Sequence, residues 1–81
     1  MIDKFKDLME NKIPIEVIID TGDDDGHYNT IRGLIKNVGQ DYIEINRAAY
    51  HDEQSRYNVD EVRTIIPIAR IAEVNFYEQK K

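Results

Sequence analysis

The hydrophobic period of this chain switches once, near Ile13, and the switch limits what the chain can fold into. Before it, Ile2, Phe5, Leu8 and Met9 recur at helical spacing. After it, Ile13, Ile15, Val17 and Ile19 fall on one side of a two-residue alternation, with Glu16 and Asp20 on the other. A repeat near 3.6 residues lines one face of a helix, and a repeat of two lines one face of a strand. The chain therefore opens with a short amphipathic helix over residues 2–11. Asp3 can cap its first amides, and Asn11 and Pro14 discourage continuation. A helix this short is not stable alone, so its apolar stripe must dock on something.

Four more alternating runs follow the first strand. TIRGLIKNV sets Ile31, Gly33 and Ile35 on one face, and its internal glycine marks a bulge or sharp bend. Gly39–Gln40 closes a tight turn into DYIEINRA, with Ile43 and Ile45 inward. Residues 49–60 are polar and aperiodic, and read as a longer loop or the end of a hairpin. VRTIIPI then turns Val62, Ile66 and Ile68 inward, and Pro67 suits the end or edge of such a strand. IAEVNFY gives a fifth strand with Ala72, Val74 and Phe76 on one face, ahead of a frayed tail at 78–81. Five short strands with close turns favour a small antiparallel barrel, because a flat sheet leaves edges open to aggregation. The expected fold is mostly β: a short N-terminal helix, then a five-stranded antiparallel barrel over residues 13–77, in one domain.

A chain of 81 residues buries a small fraction of its surface, and such domains are supplemented by disulfides, metals or self-association. The absence of cysteine removes the first route and most structural zinc sites. Self-association remains. Ile18, Leu34 and Ile65 sit out of phase with the core residues of their strands. They are either single surface aliphatics, or groups under the N-terminal helix, or groups covered by a neighbouring copy. No stretch approaches the roughly 20 apolar residues of a membrane span, and no signal-peptide apolar region opens the chain. No membrane partner is expected, and an intracellular, cytoplasmic location is.

The net charge of −5 is unevenly spread: residues 1–29 carry eight acids against three lysines, whereas residues 30–71 carry six acids and six bases. Any polyanion-binding face therefore lies away from the first third of the chain. Within that third, Asp20, Asp23, Asp24 and Asp25 crowd together, but Thr21 and Arg32 occupy the first and last ligand positions of a helix–loop–helix calcium loop. A solubilising hairpin loop is the better reading, and no metal site is assigned. His27, His51 and Ser55 form none of the spacings of metalloenzymes or nucleophilic triads, and no phosphate loop or dinucleotide fingerprint is present. No catalytic residue, cofactor or enzymatic activity is expected.

The layout of helix, five strands, mid-strand glycine in strand two and a fourth strand running directly into the fifth resembles the Sm and Sm-like family, which includes the bacterial Hfq proteins. The segments that carry the likeness are GLIKNVGQDYIEI (33–45) and IIPIARIAEV (65–74). The resemblance implies an Sm-like (SH3-like) barrel assembled as a homo-oligomeric ring of about five to seven copies, with strand four of one copy beside strand five of the next. The expected contact between copies comprises Ile18, Leu34, Ile65, Ile66 and Ile71. The resemblance also implies binding of single-stranded RNA, or DNA, by the turns 38–42 and 67–70. The family places an asparagine shortly after its aspartate, where this chain has Ile43, Glu44 and Ile45 after Asp41. Its second motif is Arg-Gly or Lys-His, where this chain has Pro67–Ile68.

An aromatic face for a base and a cation for a phosphate are the usual grip on single strands. Tyr42 and Arg70 supply that pair at the two turns, unless Tyr42 covers a barrel end and Arg70 pairs with Glu73 or Asp41. Arg47, Tyr50, His51, Arg56 and Tyr57 interleave cations with aromatics in the long connection, as a binding surface or as an ordinary solvated loop. The expected nucleic-acid contacts are Tyr42, Arg70, Arg47, Tyr50 and Lys36. The alternative is a protein-interaction or structural assembly module that uses the same barrel without nucleic acid.

Overall fold

A computed structural model describes residues 2–22 and 28–77. The acidic run Asp23–Asp25, His27 and the tail 78–81 lie outside the described residues. The elements are α1 (Ile2–Glu10), β1 (Ile15–Asp20), β2 (Tyr28–Val38), β3 (Tyr42–Ala48), α2 (His51–Tyr57), β4 (Glu61–Pro67), a 3-10 turn (Ile68–Arg70) and β5 (Ile71–Phe76). The protein is thus mostly β, with an N-terminal helix and one five-stranded antiparallel sheet in the order β4-β3-β2-β1-β5.

α1 buries Phe5 and Leu8 and lies against β2. It closes with Ile13 N–H donating to Leu8 O and Lys12 N–H to Met9 O, both at 3.1 Å, and with Lys12 at φ 54°. This paired closure is the usual way a helix satisfies its last carbonyls, with a left-handed residue just past the end. It directs the chain into β1, where Ile15 and Val17 enter the core.

β2 is the long strand, and it serves two neighbours in succession. Residues 28–33 pair with β1, and residues 34–38 pair with β3. Gly33 is the pivot: a Cβ there would meet the backbone O of Asn46 and the Cγ2 of Ile45 on β3. Only a residue without a side chain lets the two strands cross so closely, which accounts for the mid-strand glycine. Just beyond, the ladder passes from Ile35↔Ile45 to Asn37↔Glu44, so Lys36 is a bulge residue and Val38 joins Ile35 against the core.

The core gathers Phe5, Leu8, Ile15, Val17, Ile35, Ile43, Ile45 and Ile66. Two expectations are corrected. Residues 51–57 form a helix rather than a loop, closed by Asn58 at φ 55°, whose N–H donates to Gln54 O. Ala72 is exposed rather than inward: Ile18 faces Glu73 and Ile19 faces Ile71, so the β1–β5 ladder skips Ala72 and turns Ile71 toward the core instead. Ile66 is turned inward, as the alternation of its strand predicts: it is 2 % exposed and faces Ile43 across the β3–β4 ladder.

Candidate interfaces

The β2–β3 turn and the 3-10 turn meet at one end of the sheet. Gly39 N–H donates to Tyr42 O at 2.9 Å, and Ile68 N–H donates to Asp41 O at 2.9 Å. Tyr42 pairs with Pro67 in the ladder. The Tyr42 ring packs over Gly39 so closely that a Cβ at that position would collide with it, and the residue is half-buried. Tyr42 therefore closes this end of the sheet. Arg70 is exposed, and its Nη1 lies 3.7 Å from where a Cβ on Gly22 would stand. Among the described residues it forms neither an ion pair with Asp41 or Glu73 nor a stack on Tyr42. The two turns are brought together, and the two side chains are not in contact.

Arg47 is fully used inside the chain. Its Nη1 and Nη2 donate to Glu53 Oε1 and Oε2 at 2.8 and 3.0 Å, its Nε donates to Thr64 Oγ1 at 3.0 Å, and its Nη1 also reaches Ala48 O at 3.2 Å. The guanidinium carbon lies 4.1 Å from the centroid of the Tyr50 ring. Glu53 in turn accepts the Tyr50 N–H at 2.9 Å and so caps α2, whose own residues include none that is buried. The two parallel bonds from Arg47, and then the Tyr50 amide, hold the Glu53 carboxyl well down, at about 2. The hydrogen bond to Glu53 likewise raises Arg47. A planar fork matched to a carboxylate is the strong form of an ion pair, and here it fastens α2 to β3 and β4. Glu53 and Thr64 were missed in the sequence. The available signal was a glutamate three residues after Tyr50, the spacing of a helix-capping pair. Lys36, on the bulge of β2, is exposed.

β4 and β5 are the two ends of the sheet order, and no ladder joins them among the described residues. β4, an end strand, presents Ile65, 64 % exposed, on the face opposite to buried Ile66. β5 borders a groove of about 320 Å³ shared with α1, lined chiefly by Phe5, Leu8, Ile71, Val74 and Phe76. Ile71 thus packs on the core and also opens onto this groove, while Ile18 and Leu34 are half-buried. Among the described residues no cluster of three His, Cys, Asp or Glu side chains comes together to hold a metal ion. No helix of the described residues is long and apolar enough to cross a membrane. Compared with protein-family models, with curated proteins and with solved structures, the chain gives no match.

Proposed function

We propose that the chain is the subunit of an Sm-like homo-oligomeric ring that binds single-stranded RNA, or DNA, in the cytoplasm. The observation that carries this reading is the pair of unlike open edges. One end of the sheet offers β4 with exposed Ile65, and the other offers β5 beside an apolar groove. An open strand edge carries a row of unpaired backbone donors and acceptors, and a second copy satisfies them. Pairing unlike edges is head-to-tail, and it generates a ring when the rotation between copies closes. About five to seven copies is the size that the family resemblance implies. In such a ring the junction of the β2–β3 turn and the 3-10 turn supplies the nucleic-acid face. Arg70 and Lys36 are its exposed cations, and the edge of Tyr42 is its aromatic group.

A specific observation favours a second reading, an assembly module without nucleic acid: Arg47 is spent on Glu53 and Thr64, and the chain's net charge is −5. Titration of labelled oligo-U and oligo-A at low and moderate salt separates the two. The first reading requires affinity that falls with salt, because cations that neutralise phosphates release counterions. It also requires a loss in the double variant Tyr42→Ala, Arg70→Ala. Absence of binding at low salt selects the second reading.

A further inference from the structure

We propose that Tyr50 and Tyr57, at the two ends of α2, form a stacking platform for two unpaired bases of a single strand, with Arg47 as the residue that positions the first ring. The inference rests on the nucleic-acid reading above and adds a second contact surface to it, away from the turn face.

The helix itself sets up the pair. Tyr50 is the N-cap and Tyr57 the last helical residue. Seven residues make nearly two turns, so the extended N-cap position and the last helical position lie on one side of α2, at roughly 10 Å along the axis. Tyr50 is 50 % and Tyr57 64 % exposed, although large aromatic rings are ordinarily covered where a fold permits it. The Tyr50 ring is not loose: it rests on a guanidinium that is itself held by Glu53 and Thr64. A ring locked on one side and open on the other has already lost the freedom that stacking would cost it.

The chemistry around the rings favours a base over a protein partner. Between them on the same helix face stand Glu53 and Gln54, which are polar, so the patch lacks the continuous apolar area that a protein partner's side chains fill. A nucleobase presents a flat π face with polar edges, which suits isolated rings separated by polar groups. Charge contributes little here. Arg47 neutralises Glu53, and α2 carries one further acid, Asp52, in its first turn and one base, Arg56, in its last. Affinity from this platform therefore depends on base stacking and hardly on salt, in contrast to the contribution of Arg70 at the turn face.

The test is titration of the full chain with oligo-A and oligo-U, as RNA and as DNA, on wild type, Tyr50→Leu, Tyr57→Leu, the double variant and Tyr50→Phe. Circular dichroism checks that each is folded. Each leucine is expected to weaken oligo-A binding about tenfold, with the loss nearly independent of salt, and the phenylalanine to retain affinity. Oligo-A is expected to bind tighter than oligo-U, since the larger base stacks better. The chain has no tryptophan, so Tyr50→Trp gives a single reporter whose emission oligo-A should quench. In an Arg47→Lys background that quenching is expected to fall while the circular dichroism is unchanged, which a purely structural role for Arg47 would not produce. A folded double-leucine variant that binds oligo-A as wild type does would overturn the platform and leave the proposed function standing. A wild type that binds neither oligonucleotide at low salt would remove both.

Discussion

The two α-helices among the described residues are attached to the same sheet by opposite physics. α1 is held by burial: Phe5 and Leu8 are 3 % and 1 % exposed, and the helix covers β2 with an apolar stripe. α2 buries nothing of its own; an arginine reaches from β3 to a carboxylate at its N-terminal turn, and Ala49 N–H donates to Asp60 O across its base. Burial is non-directional and grows with apolar area, whereas a two-pronged ion pair depends on one geometry and on one charge state. The first attachment should therefore govern whether the chain folds, and the second should govern only where α2 sits.

The largest effect expected from this contrast is at Leu8. Leu8→Ala empties a fully buried site and should cost roughly 2–5 kcal/mol of unfolding free energy in a denaturant titration. A loss well under that range would mean that α1 is not part of the core. Arg47→Ala should cost less globally, while amide exchange in α2 quickens selectively. Equal and uniform acceleration across the sheet would show that Arg47 supports the core rather than a peripheral helix.

The smallest effect is one of pH. Glu53 sits at about 2 in the folded chain, below its ordinary value near 4.5. A carboxyl whose folded value is depressed stabilises the fold above its unfolded value, and loses that contribution as the pH falls through the folded one. Exchange protection in α2 should therefore be flat from neutrality to about pH 4.5 and decline between there and about pH 2. In Glu53→Gln that decline should vanish. A decline that persists in the variant would assign it to another group.

The same contrast explains what could be read in advance. Apolar periodicity is written in single residues, so α1 and the five strands were legible from Ile2, Phe5 and Leu8 and from the alternation after Ile13. Gly33 was legible as a bend, although its partner across the crossing, the Asn46 carbonyl, was not. α2 was illegible because it has no apolar stripe to show: its stability resides in a pairing of Arg47 with Glu53 that only the fold brings together. Ala72 was misplaced because a bulge reverses the alternation after it, and a strict two-residue count cannot register a skipped position. Of the candidate contacts, Tyr42 and Arg70 reached the expected turns, yet Tyr42 proved to be packed on Gly39. Arg47, which looked like a free cation in a polar stretch, proved to be the most committed charge in the described residues.

The two end strands of the sheet lead to the remaining claim, since β5 shares its groove with α1 and β4 supplies the Thr64 that helps hold Arg47 beneath α2. Light scattering of the 9.5 kDa chain puts it to the test, with Ile65→Asp as the matched variant. The account expects a several-fold multiple of the single-chain mass for the wild type. For the variant it expects the mass of one chain with unchanged circular dichroism, because Ile65 touches no core and a charge there only spoils the joint. A wild type that stays at the mass of one chain across the accessible concentrations would contradict it.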